Sequence, residues 1–204
     1  PGTGKTTTLL NKVDEALSQG ILPSKIGYFA FTRQAAHEAI ERACQRFGLE
    51  ESQLPWFRTL HSFALRLSGI RSEQVMQSEH YKELSQAIGI DIGVDKSNSE
   101  DNIIESNAAN DPFLAIINLA RLKKVSLRKE YNSSNTDIDW VTLSYVAEAL
   151  TNYKKRMKLY DFTDMLEMFV NQSSMFCPNL SVSFIDEAQD LSPLQWDVAH
   201  IIEQ

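Results

Sequence analysis

The chain has 204 residues, with 20 basic and 27 acidic side chains and a formal charge of −7; 43% of it is hydrophobic and 23% charged. That composition supports a buried core and argues against wholesale disorder, and no apolar run approaches the ~20 residues of a membrane span. Two cysteines, Cys44 and Cys177, are too few for a disulfide framework or a four-ligand zinc site. The acidic balance excludes a histone-like coat for nucleic acid but leaves room for a local groove, because binding depends on where basic groups sit. The first residue is Pro1 and no signal-peptide pattern follows it, so the chain reads as an internal piece of a longer protein in a reducing, cytoplasmic setting.

In chain order, Leu9, Leu10, Val13, Ala16 and Leu17 fit one helix face, with Gly20 as terminator. Ile26–Phe31 has the length and composition of a strand. Thr32 is placed to cap a helix with Ala35, Ala36, Ala39, Ile40, Ala43 and Phe47 inward, ended by Gly48. A short strand at Trp56–Thr59 leads to a helix with Phe63, Ala64 and Leu67 inward. This alternation predicts a parallel α/β sheet. From Asp91 to Asp111 there are six acidic residues against one lysine, so 95–111 reads as a solvated loop. Asp111-Pro112 opens a helix with Phe113, Ile116, Ile117, Ala120 and the stem of Lys124 inward. A helix from about Asp139 to Met157 carries Trp140, Leu143, Ala147, Leu150 and Tyr153. Without strand signals, roughly 70–158 reads as an inserted helical subdomain. Asp161 caps a helix with Phe162, Met165, Leu166 and Phe169; Leu180–Ile185 is a strand, and Ser192-Pro193-Leu194-Gln195 opens a last helix.

Two segments carry chemistry. Gly2, Gly4, Lys5 and Thr6 form the second half of a G-x-x-x-x-G-K-[ST] phosphate loop, with Pro1, Thr3 and Thr7 beside them. Its glycines let backbone N–H groups turn toward phosphate oxygens at a helix N-terminus. Lys5 would reach the β- and γ-phosphates of ATP, and Thr6 would hold Mg²⁺. The bland alternative is a glycine-rich turn with a capping threonine. Asp186-Glu187 ends the last strand, where an open α/β sheet faces its phosphate loop. There Asp186 would join the Mg²⁺ shell and Glu187 would orient and deprotonate water, with Gln189 and Asp190 on the same loop. The alternative is capping of the next helix. Lys5 and Asp186 lie 181 positions apart, which requires an insertion between them. Two basic clusters, Arg121–Lys129 and Lys154–Lys158, are either duplex-phosphate contacts or solvated helix faces.

Asp186-Glu-Ala-Gln-Asp190, Phe31-Thr-Arg-Gln-Ala-Ala36, Thr59-Leu-His-Ser62 and Asp161-Phe-Thr-Asp-Met165 occur in the order seen in the UvrD/Rep/PcrA family of superfamily 1 DNA helicases, which the chain resembles over about 1–68 and 158–204. The resemblance implies a RecA-like P-loop parallel sheet flanked by helices, divided as 1–68 and 159–204, with a mainly helical subdomain at 69–158. It implies the ATP-hydrolysing motor half of a helicase that translocates 3′ to 5′ on single-stranded DNA. Such a motor engages single-strand/duplex junctions and works with a second RecA-like domain; this chain alone is not expected to unwind DNA. Pro1 to Thr7 would then hold ATP, Lys5, Glu187 and Gln189 would be catalytic, and Thr6 and Asp186 would hold Mg²⁺. Phe31, Thr32, Arg33, Thr59 and His61 would face DNA, aromatic and hydroxyl groups suiting base stacking and phosphate contact. Two departures stand out: Arg33-Gln34 replaces the usual Asn-Lys, and Thr163 replaces an Asp. Rival classes are another P-loop ATPase, such as an oligomeric remodeller, and an inactive helicase-derived interaction module. Repair and replication are both open to such a motor.

Overall fold

A computed structural model describes residues 5–92 and 111–203. In chain order its main elements are α1 (Lys5–Ser18), β1 (Ile26–Ala30), α2 (Arg33–Phe47), β2 (Phe57–Thr59), α3 (Leu60–Ser68), α4 (Ser78–Ile88), α5 (Pro112–Leu122), α6 (Leu127–Ser133), α7 (Trp140–Met157), α8 (Phe162–Met168), β3 (Val182–Ile185) and α9 (Pro193–Ile202). The chain is α/β, with a parallel sheet flanked by helices and a mainly helical insertion. It divides into two compact units, one comprising Pro1–Ser68, Met168–Leu191 and Gln195–Gln204, the other Gly69–Glu167 and Ser192–Leu194.

In the first unit the strand order is β2-β1-β3, all parallel. Parallel neighbours cannot be joined by a hairpin, so each connection crosses over through helices. The central strand, β1, is buried at all five positions, which is why it reads as a continuous apolar run rather than an alternation. Tyr28 pairs with Phe57 on one side and Phe184 on the other; Phe29 pairs with Arg58 and Ile185. On one face Tyr28 stacks on Phe57 with centroids 5.3 Å apart. On the other, Phe63 of α3 meets Phe29, Phe169 and Trp56 edge-on at 5.1, 5.3 and 5.6 Å. Gly27 is required by crowding: a Cβ there would lie 2.8 Å from both the Leu180 and Phe29 side chains.

The strands are shorter than their apolar runs, β1 stopping at Ala30 and β3 starting at Val182. The caps fall where the sequence places them. The Thr32 hydroxyl accepts from the Ala35 N–H, and Gly48 ends α2 at φ 67°. Asp111 accepts from the Leu114 N–H with Pro112 in the first turn, and Asp139 accepts from the Thr142 N–H. Except for Asp111, the loop expected at 95–111 lies outside the described residues.

The second unit packs Leu114, Ile117, Leu143, Val146, Leu150 and Tyr153 around Met76, Tyr81 and Leu84. Lys124 does not join this core, contrary to its expected place on the inner face. α5 ends at Leu122, and Lys124 is exposed with φ 56°, turned off the helix axis. The basic clusters are split: most of their side chains are exposed, and some are engaged by other groups. Arg121 bonds Asp161, Asp164 and Glu167, and the Lys154 ammonium reaches Asp161 and Asp164. Lys123 bonds the buried Glu130 at 2.8 Å, and Arg128 lies 4.4 Å over the Trp140 ring. Asp161 and Asp164 also cap α8 reciprocally, each side chain accepting the other's backbone N–H, at 2.7 and 2.8 Å.

This cluster generates two expectations. Burial alone would push the Asp161 carboxyl up, but Lys154 and Arg121 outweigh it and hold it at about 2. A depressed carboxyl stabilises the fold above its unfolded value, near 4, and loses that contribution as pH falls toward 2. The stake is about 2 kcal/mol, so denaturant midpoints should fall over that window in wild type and much less in Asp161→Asn. Arg121→Ala leaves Asp161 and Asp164 to Lys154 alone and takes the cation from the partly exposed Glu167, and should cost about 3 kcal/mol in urea unfolding at pH 7.

Candidate nucleotide and nucleic-acid site

The site is built at the carboxyl edge of the sheet. The C-terminal end of α1 lies at the start of β3, where Ala16, Gln19 and Ile21 share a cavity with Ser181 and Val182. A helix of 14 residues spans about 20 Å at 1.5 Å per residue. Its N-terminus, at Lys5, lies nearly that far from this contact. Lys5 and Thr6 are located by their backbone alone, and Pro1 to Gly4 lie outside the described residues. Thr7 is exposed on the first turn.

Asp186 continues the ladder beyond β3, its N–H donating to the Phe29 carbonyl at 2.8 Å. One carboxylate oxygen accepts from the Glu187 N–H at 3.1 Å and the other from the Tyr28 hydroxyl at 3.4 Å. Burial, then the neighbouring Asp186 charge, push the Tyr28 phenol above its ordinary value. Glu187 has φ 53° and ψ 38°, the left-handed region, and starts a helical turn over Ala188–Asp190. Such backbone costs a non-glycine residue about 1–2 kcal/mol. The Gln189 amide donates to the Glu187 carboxylate and, at 3.2 Å, to Asp190.

The candidate nucleic-acid residues divide. Phe31 is 47% exposed just past β1, and Thr32 and Arg33 are exposed beside it, although the Thr32 oxygen is engaged as a helix cap. Thr59 is only 8% exposed, and its hydroxyl accepts from the Ser62 N–H at 3.1 Å. It fixes the start of α3 and presents little surface. His61, half-buried on the first turn of α3, shares a cavity of about 10 Å³ with Phe31, Leu60, Ile185, Asp186 and Gln195. That volume holds about one water. Phe31, His61 and Asp186 therefore meet around one small space. Sequence reading missed Tyr28 and Gln195; Tyr28 looks like ordinary strand filling, and only the parallel register sets it beneath Asp186.

The donor chemistry fits a hard cation. Asp186 offers carboxylate oxygens with lone pairs left over after two hydrogen bonds, and Mg²⁺ takes one or two protein carboxylates with phosphate oxygens and water. Among the described residues no group of three or more His, Cys, Asp or Glu could hold a metal unaided. Asp186 would thus act together with nucleotide phosphates.

The chain was compared with known proteins. The family described as UvrD/REP helicase N-terminal domain matches residues 1–204. No curated protein matches the chain. No described helix is long and apolar enough to cross a membrane.

The left-handed Glu187 gives a stability test separate from any activity. Glu187→Gly should leave the unfolding free energy unchanged or raise it by up to about 1 kcal/mol, since strain relief offsets the flexibility of glycine. Glu187→Val, whose branched side chain tolerates that backbone poorly, should lower it in the same denaturant titration.

Proposed function

The chain belongs to the UvrD/REP helicase N-terminal domain family, and from that premise we propose that it is the ATP-hydrolysing half of a motor that translocates on single-stranded DNA. Nucleotide and DNA binding follow from the family. The assignment of particular residues, the metal and the direction of travel are our reading. The observation that supports it is the shared carboxyl edge, where Phe31, His61 and Asp186, following three parallel strands, line one small cavity.

In this reading Pro1 to Thr7 wrap the triphosphate, with backbone N–H groups and the helix dipole facing its charge. Lys5 neutralises the β- and γ-phosphates, and Thr6 and Asp186 hold Mg²⁺. The cation supplies charge compensation on the phosphates when bound. Glu187 accepts the proton of a water whose oxygen bonds to the γ-phosphorus as the bond to the β–γ bridging oxygen breaks, giving ADP and phosphate. Gln189, bonded to Glu187 in the resting site, holds that carboxylate until nucleotide arrives. Positioning and charge compensation are most of the catalysis for such a loose transition state.

Phe31 offers a ring to a base, and Arg33 and His61 offer donors to phosphates. Thr59 supports His61 through its cap. A second RecA-like domain would close over the nucleotide and part after hydrolysis, and alternating grip would give steps in the 3′-to-5′ direction, as the family resemblance implies. The chain alone would bind nucleotide without unwinding duplex.

Two outcomes test this in the intact motor. Glu187→Gln should lower kcat for ATP by about 10²–10⁴-fold with nucleotide binding kept, measured by steady-state hydrolysis and equilibrium binding. Phe31→Ala should remove most of the stimulation of ATPase by single-stranded DNA while the basal rate stays. Wild-type ATPase indifferent to single-stranded DNA would instead favour an ATPase of another class.

A further inference from the structure

Tyr28 is 0% exposed in the central strand, yet ends in a polar hydroxyl. A buried hydroxyl without a partner is costly, and phenylalanine would serve equally well for stacking on Phe57. Among the described residues the only hydrogen bond of that hydroxyl is to Asp186, at 3.4 Å. The register makes this contact possible: Tyr28 pairs with Phe184, and side chains two apart on a strand share a face, so Tyr28 and Asp186 project from the same face of the sheet. The opposite carboxylate oxygen is held by the Glu187 N–H. Each oxygen therefore accepts one hydrogen bond and keeps a lone pair that could serve a cation.

We propose that Tyr28 is a positioning residue for cation binding, its hydroxyl fixing the Asp186 carboxylate in the orientation that receives the metal. The inference rests on the reading of Asp186 as the Mg²⁺-holding carboxylate. Supports behind a metal ligand act by removing rotational freedom before the metal arrives, and their loss weakens metal affinity by about 10–100-fold. A single contact as long as 3.4 Å belongs at the lower end, about tenfold.

The test uses the intact motor with a non-hydrolysable ATP analogue and Mn²⁺ as the probe, bound metal being read by electron paramagnetic resonance. Tyr28→Phe removes one oxygen and should weaken Mn²⁺ about tenfold with the analogue's own affinity unchanged. A purely structural role would lower the melting temperature and leave Mn²⁺ affinity intact below it; that result overturns the inference. Asp186→Asn should abolish Mn²⁺ binding. If it does and Tyr28→Phe binds as wild type, the inference fails while the reading of Asp186 stands; if it does not, that reading fails and takes the inference with it. Wild-type protein labelled at the tyrosine Cζ supplies a measurement independent of how Tyr28→Phe folds. The Tyr28 resonance should shift when Mg²⁺ joins the bound analogue and stay still in Asp186→Asn, and a wild-type resonance that does not move overturns the inference.

Discussion

Pairing Phe29 with Ile185 joins segments from opposite ends of the chain, and the geometry of the carboxyl edge follows from it. Parallel strands point their carboxyl ends the same way, so Phe31 after β1, His61 after β2 and Asp186 after β3 emerge at one end without any residue specifying the meeting. The C-terminal end of α1 packs at the opposite end of β3, beside Ser181 and Val182. The cost of bringing such distant segments together is a loop-closure entropy that grows only slowly with length, which is why a large helical unit can sit between β2 and β3. The rigid end of the sheet then does what flexible loops could not: it holds an aromatic ring, an imidazole and a carboxylate around a space for a single water.

The helical unit solves a different problem. Two cationic and three acidic side chains are drawn together, all but Glu167 with little exposure, and taking charges from water costs several kcal/mol per ion unless each is paired and hydrogen-bonded. Here the pairing is dense: Arg121 spans three carboxylates, and Lys154 and the backbone of α8 take up most of what remains on Asp161 and Asp164. The aspartates that resemble a helicase motif are thereby committed to holding α8 in the helical unit. Thr163 fits the same account, since it is buried, with its hydroxyl 3.3 Å from the Asn118 amide oxygen. An aspartate there would add a charge with no cation assigned to it.

Much of this was legible in the sequence because local rules and the global fold agree. Thr32, Gly48, Asp111 and Asp139 stop or start helices where capping chemistry puts them, and the apolar run of β1 announces a strand covered on both faces. The less legible features depend on partners distant in sequence. The fates of Arg121 and Lys154 cannot be read from a cluster of basic residues, because charge runs look alike whether they face water or a carboxylate 40 positions away. Lys124 was misplaced because helical periodicity continues on paper past the point where the backbone turns off the axis. α6 went unread because its seven residues carry only two apolar core contacts, Leu127 and Tyr131, beside a buried Glu130.

The residues that break local rules gather at the edge of the sheet. Phe31 keeps a large apolar ring in water where burial would stabilise it, and Glu187 sits in a backbone region that glycine fills more cheaply. Tyr28 places a hydroxyl where a hydrocarbon would pack as well. Folding accounts for none of these choices, and each concerns a group facing or supporting the cavity at the carboxyl edge. A stability cost of a few kcal/mol is a sizeable share of a domain's total, so it persists only when the rest of the structure over-determines the fold. The fully buried β1 and the aromatic contacts of Phe63 provide that surplus. The same strand that secures the core thus holds the hydroxyl beneath Asp186, and core stability and site geometry share one element.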